Sequence, residues 1–139
     1  FGAANAREAT VPLVGRHPLE AMPAFFSRAS LMLVSLKDEP IFRLTAPAKL
    51  QAYMSAGRPV AAMLGGEGGR IVAEAGCGFA VPAADGKALA AAVLRASRLP
   101  AAELSAMGER GRAYCRAHFD FAGLMDRLCR MLEDDTCND

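Results

Sequence analysis

An α/β fold with a parallel sheet is what this chain predicts, on three observations. Short apolar runs alternate with amphipathic helical stretches from Val11 onward. The run Ser30 to Leu36 is apolar at successive positions, as a strand covered on both faces should be. Each run breaks into glycine, proline or a polar loop before the next helix. A strand–helix–strand order gives parallel neighbours joined by right-handed crossovers. The 139 residues fit one domain, large enough for a core without staples.

In chain order, residues 1–10 are small and polar and read as a loop. Val11 to Val14 is the first strand candidate, ended by Gly15. Leu19, Met22, Phe25 and Phe26 recur at helical spacing, and Pro23 is tolerable if that helix starts near Leu19. Ser30 to Leu36 is the second strand. After a polar loop, Thr45 or Ala46 can cap a helix with Pro47 at its first position. Leu50, Tyr53 and Met54 form its inward stripe, and Gly57 supplies its left-handed end. Pro59 to Leu64 is the third strand, breaking at Gly65-Gly66-Glu67-Gly68-Gly69. A short helix, Arg70 to Ala75, leads to Gly76, and Gly78 to Val81 is the fourth strand. Asp85 caps a helix through Ala96 with Leu89 and Val93 one turn apart. Pro100 opens another, with Leu104, Met107, Gly111, Tyr114 and His118 on one side. Asp120 begins the last, with Phe121, Leu124, Met125, Leu128, Met131 and Leu132. Residues 135–139 read as a disordered tail.

Composition narrows the function. A formal net charge of +1 and no basic patch argue against a nucleic-acid partner. No apolar run is long enough to span a bilayer. Cys77, Cys115, Cys129 and Cys137 form no C-x-x-C pair and stand at no metal spacing, so they read as reduced thiols. Cys115 and Cys129 fall on apolar helix faces, where a thiol packs as a small hydrophobe. No metal and no cofactor is expected, and no Ser-His-Asp order appears. His118 reads as a structural or surface histidine.

In an open parallel sheet, ligands bind outside the carboxyl ends of the strands. That rule selects Gly15-Arg16-His17, Leu36 to Thr45, Gly65 to Arg70, and Pro82 to Asp85. The helix at Pro47 points its positive end at the same edge, where a phosphate could sit. Gly65 to Gly69 is neither a Walker loop nor the dinucleotide fingerprint. It reads either as a mobile surface loop or as backbone that a ligand approaches closely. Lys49 opposes the helix dipole, so it is either a solvent-facing lysine or a partner for a diphosphate; Arg16, His17, Lys37 and Arg43 are alternatives for that task. Glu39 is either a solvated loop carboxylate or an acceptor for sugar hydroxyls.

Three stretches carry a resemblance. Pro47 to Val60, P-A-K-L-Q-A-Y-M-S-A-G-R-P-V, resembles the P-S-K-x-x-E-Y-M-A-A-G-x-P-V segment of family-4 glycosyltransferases. Upstream, V-P-L-V-G, then M-P-A-F-F and A-S-L-M-L-V-S-L resemble the V-x-F-x-G … L-P … A-D-x-x-L-x-P run. Gly65 to Glu74 with Gly78 to Pro82 resembles the later G-G … E … G-x-L-V-P segment. The likeness covers nearly all of Val11 to Leu132.

The resemblance implies a Rossmann-like, nucleotide-sugar-binding domain over residues 1–139, the truncated C-terminal half of a GT-B fold. Its N-terminal edge and the acceptor domain would precede Phe1. It implies retaining, metal-free transfer from a UDP-linked sugar to a lipid-linked or saccharide acceptor in bacterial envelope or O-antigen polysaccharide synthesis. The setting would be cytoplasmic, peripheral at the inner face of the plasma membrane through the acceptor domain. The implied donor-binding residues are Gly15, Arg16, Glu39, Thr45, Ala46, Pro47, Lys49, Gly65, Gly66 and Glu67. One departure stands out: two glutamates with seven residues between them in many members align with Leu44 and Ala52. Sugar contacts must then come from elsewhere, Glu39 being the candidate. The rivals are a GT-B nucleotide-sugar epimerase and a non-catalytic nucleotide-binding or interaction domain.

Overall fold

Among the described residues three parallel strands carry the fold, in the spatial order β1 (Met32–Ser35), β2 (Val60–Met63), β3 (Gly78–Val81). The computed structural model describes residues 15–136. The candidate strand Val11 to Val14 lies outside the described residues. Register is uniform: Met32 lies opposite Val60, and Val60 opposite Gly78. A 3-10 turn, Leu19–Ala21, feeds α1 (Met22–Arg28), with Pro23 in the first turn, where its missing N–H costs nothing. The remaining helices are α2 (Pro40–Arg43), α3 (Ala48–Ser55), α4 (Gly66–Ala75), α5 (Gly86–Ser97), α6 (Ala101–His118) and α7 (Phe121–Thr136). The fold is the α/β, Rossmann-like arrangement that the alternating runs predict. None of the described helices is long and apolar enough to cross a membrane.

The two faces of the sheet are covered differently. On one face α3 and α4 pack over the strands, and α6 packs behind them. The core there is Val34, Leu50, Met54, Val60, Ala62, Leu64, Ile71, Val72, Cys77 and Cys115. On the other face α5 lies over β2 and β3. Small residues permit that approach: Ala61, Ala92 and Ala96 are all buried. Leu33 shares the register of Ala61 and Phe79, yet it is 53% exposed. The expectation of a strand buried on both faces therefore fails for β1. Its exposure alternates because no helix among the described residues covers Leu33, which lines an open apolar groove beside Leu89 and Val93 of α5.

Helix α6 ties the ends of the two crossover helices. Arg112 Nη2 donates to the Ala56 carbonyl beyond α3, at 3.1 Å. Arg110 Nε donates to the Gly76 carbonyl beyond α4, at 2.8 Å. Both bonds place a cation where carbonyls are left over and the dipole is negative. The helices also meet at bare backbone. Gly57 is left-handed, as expected, with φ 68°. A Cβ on Gly108 of α6 would overlap the Gly57 carbonyl oxygen.

Several helix starts differ from expectation. Pro47 and Pro100 are N-caps, in extended conformation, rather than first helical residues. The cap proposed for Thr45 or Ala46 is therefore displaced, since Pro47 has the extended ψ of 133° that a cap requires. Asp85 caps α5 as expected, its Oδ1 accepting from Ala88 N–H at 2.9 Å. The polar loop after β1 contains α2, started by Pro40. On α6 the buried positions are Gly108, Gly111 and Cys115, with Leu104, Met107 and Tyr114 half-buried. α7 runs through Thr136, into the stretch read as tail, because no glycine or proline interrupts it after Gly123. Cys129 on α7 is exposed rather than packed.

Two outcomes follow from the packing. Gly108→Ala forces α3 and α6 apart and should cost about 1–3 kcal/mol in urea unfolding; a neutral substitution would contradict the close approach. Burial pushes the Cys77 thiol up to about 11 and raises that of Cys115. The reactive thiolate of Cys77 is thus scarce below that pH. At pH 8 in native protein, iodoacetamide should modify Cys129 and spare Cys77 and Cys115 until the chain is denatured, as read by peptide mass mapping.

Candidate functional site

Three loops leave the sheet side by side. β1, β2 and β3 end at Ser35, Met63 and Val81, and backbone bonds extend the ladder past those ends. Leu36 N–H donates to Met63 O at 3.4 Å, and Leu64 N–H to Val81 O at 3.2 Å. The loops that follow must therefore start at one rim.

The loop after β1 turns sharply, Glu39 N–H donating to Lys37 O at 3.0 Å. Glu39 is the N-cap of α2 by position, but its carboxylate makes no cap bond and is exposed. Arg43, at the end of α2, reaches back to Asp38 in a two-pronged pair: Nε to Oδ1 and Nη2 to Oδ2, each 2.9 Å. The Arg43 stem lies along Gly65, where a Cβ would sit 3.6 Å from Arg43 Cγ and 3.8 Å from Ala83 Cβ. The Arg43 backbone rests on Gly66. Gly66 has φ 62°, and a Cβ there would overlap the Arg43 carbonyl oxygen. Two independent demands, left-handed backbone and close approach, thus select glycine. Two residues further on, a Cβ on Gly68 would stand 3.3 Å from Pro47 Cδ.

These contacts gather three of the four segments chosen from sequence: the β1–α3 loop, the glycine stretch, and Ala83 of the Pro82–Asp85 turn. The same turn holds Ala84 at φ 61°, a conformation L residues seldom adopt. Gly15 and Arg16 are exposed ahead of the 3-10 turn, and His17 lies on Phe25 of α1 with ring centroids 4.7 Å apart. Gly15, with φ 77°, has nothing within 4 Å of a would-be Cβ, so it takes no part in these contacts.

The glycine stretch is not the free turn expected. α4 starts at Gly66, four residues before the expected Arg70, so Gly66 to Gly69 form its first turn and Gly65 is its N-cap. The extra turn is held by Arg70, which grips both oxygens of Glu67, Nε to Oε2 at 2.8 Å and Nη2 to Oε1 at 2.6 Å. Arg70 also pairs with Glu74 one turn on. The Arg70 hydrogen bond, with its charge, holds the Glu67 carboxyl below its usual range. Glu67 is thus an ionised acceptor already engaged by one partner.

Two helix starts adjoin at this rim. α3 begins after Pro47 and α4 after Gly65, and neither cap residue provides a side-chain bond. Leu50 N–H reaches Pro47 O at 2.9 Å, whereas Ala48 and Lys49 stand too near the start to have a partner within the helix. Lys49 is exposed on that first turn, which holds no acidic residue. Thr45 is exposed, and the Ala46 carbonyl accepts from Gln51 Nε2 at 3.4 Å. The arrangement offers backbone amides, a lysine and a hydroxyl to an anion, and free carboxylate oxygens at Glu39 to hydroxyl groups. Among the described residues no cluster of three His, Cys, Asp or Glu could hold a metal ion. His118 is exposed and stacks on Tyr114 at 4.1 Å, away from these contacts.

Asp38 escaped the sequence reading. Its spacing to Arg43, i and i+5 across a proline, matches no helical pair rule; only the fold of α2 brings the two together.

Residues 3–99 match the family described as Glycosyl transferases group 1. No curated protein and no solved structure matches the chain.

Gly66→Ala should destabilise the domain by about 1–3 kcal/mol, through the strained φ and the clash with Arg43. Gly86→Ala, with open space around its Cβ, should be neutral or mildly stabilising. Urea unfolding of both variants provides the comparison, and equal effects would refute the assignment.

Proposed function

This chain belongs to the group 1 glycosyltransferases, and from that premise we propose that it holds the donor of a retaining transferase. The donor is a UDP-linked sugar, and the acceptor a lipid-linked or saccharide molecule of bacterial envelope polysaccharide synthesis. The observation that carries the reading is the meeting of the β1–α3 loop, Gly65-Gly66 and the starts of α3 and α4 at one rim.

The chemistry suits that rim. When the bond from the anomeric carbon to the diphosphate oxygen breaks, negative charge grows on the leaving diphosphate. Fixed dipoles and cations placed there lower the barrier without reorganising. The first amides of α3, beyond Thr45, Ala46 and Pro47, and the ammonium of Lys49 would take the diphosphate. Gly65 and Gly66 would let it approach α4. Glu39 would accept from sugar hydroxyls, with Glu67 a second carboxylate held in place by Arg70. Family members often carry glutamates where this chain has Leu44 and Ala52, so Glu39 bears more of the sugar contact here.

A second domain, carrying the acceptor, belongs to the same proposal. The uncovered apolar surface supports it: Phe121, Leu124, Met125, Leu128, Met131 and Leu132 form an exposed stripe on α7. A patch of that kind marks an interaction site. Through that domain the enzyme would work at the inner face of the plasma membrane. The missing glutamates favour one alternative, a domain that binds nucleotide without catalysis.

Calorimetry with UDP tests the donor site. Lys49→Ala should weaken UDP binding about tenfold, close to 1.4 kcal/mol, with unfolding unchanged. No heat with UDP or UDP-sugars would overturn the donor reading. Residues 1–139 alone should transfer no sugar, whereas a polypeptide with the acceptor domain should; UDP binding without transfer there would leave the non-catalytic alternative.

A further inference from the structure

The Asp38–Arg43 pair calls for a physical reason. Both side chains are well exposed, 40% and 58%. Exposed pairs contribute little to stability. Yet this one is bidentate, and it closes a loop that would otherwise hang free between β1 and α3. Arg43 is also the residue whose backbone touches Gly66 and whose stem lies along Gly65. Arg43 therefore joins two things: its guanidinium holds Asp38 at the start of the loop bearing Glu39 and Thr45, while its backbone rests on Gly66 and its stem on Gly65 at the start of α4.

We propose that Asp38 and Arg43 form a latch that fixes the β1–α3 loop against the start of α4. They are positioning residues for the rim. As part of a donor site the latch rests on the reading above; as a structural device it does not. Arg43 turns Nε and one Nη2 hydrogen to Asp38, and as a latch it acts through the loop, a role that UDP titration distinguishes from direct contact by its remaining N–H groups. With the latch closed, Glu39, Thr45 and Pro47 hold one position relative to Gly65 and Gly66. With it open, α2 has only its proline start and the Gly66 contact to keep it in place. The Glu67–Arg70 pair offers no such link, because both its partners belong to α4.

Hydrogen exchange on peptides spanning residues 36–50 tests the latch without any ligand. Asp38→Asn and Arg43→Gln should each raise exchange there about three- to fivefold, the range an exposed ion pair allows, while leaving β2 and β3 unchanged. The double replacement should be no worse than either single one, since the two act as a unit. The exchanged pair, Asp38→Arg with Arg43→Asp, should restore protection. Single variants that exchange like wild type, or an exchanged pair that restores nothing, would overturn the proposal. A wild-type control in 1 M salt, where exposed charges are screened, should reproduce the single variants even if one of them folds poorly.

UDP titrations then separate the latch from the donor reading. If wild type binds UDP, the single variants should weaken binding about tenfold and the exchanged pair should recover it. Recovery of protection without recovery of binding would mean that Arg43 touches the diphosphate itself, overturning its role as a positioning residue. If wild type does not bind UDP, the donor reading falls while the exchange data still decide the latch.

Discussion

Everything at the rim follows from the parallel sheet. Strands that run the same way force each crossover helix to return against them. Helix starts then face the carboxyl ends of the strands, and helix ends face the other side. In this chain the two sides are finished differently. Arg110 and Arg112 of α6 satisfy the carbonyls beyond α4 and α3. The starts of α3 and α4 receive no side-chain cap, although Asp85 and Asp120 cap their own helices. Amides left without protein partners beside a strand end are the physical basis of the anion site proposed above.

Magnitudes separate what holds the domain from what shapes the rim. Leu50, Met54, Val60, Ile71 and Val72 are essentially sealed, and truncating such residues to alanine typically costs about 2–5 kcal/mol each. The exposed ion pairs at Asp38, Glu67 and Glu109 are screened by solvent and contribute far less. Stability therefore resides between α3, α4 and the sheet, and the charged pairs act mainly by choosing geometry. Glycine does similar work at two contacts. At Gly108 it lets helix backbone meet a carbonyl, and at Gly66 it lets α2 lie on α4.

Much of this was legible in the chain. Periodicity located β1, β2, β3, α5 and α6 within a residue or two, because buried strands and amphipathic helices have unmistakable spacing. Gly57, Gly76 and Asp85 marked helix boundaries for local reasons. The strand-end rule picked out three segments that the structure brings into contact, those of Arg43, Gly65 and Ala83, and a fourth, Gly15 to His17, that these contacts do not include. What stayed hidden depended on contacts distant in sequence. Gly66 to Gly69 looked like a turn, since glycine discourages helix; the Glu67–Arg70–Glu74 ladder and the nearness of Arg43 stabilise the helical turn there. Leu33 looked buried, because a run of apolar residues cannot reveal which helices lie above it. Asp38 was invisible for the same reason as α2, a single turn too short to leave a periodic trace.

The two arginines of α6 have a mechanical corollary. They pin α3 and α4 at their far ends to one common support. α3, with eight residues, is about 12 Å long. A tilt of ~5° about its pinned end would carry its tip by ~1 Å, about the error that separates productive from unproductive alignment of reacting groups. α3 and α4 share a fulcrum, so small rocking of α6 would swing both tips together, and the rim would shift as one piece.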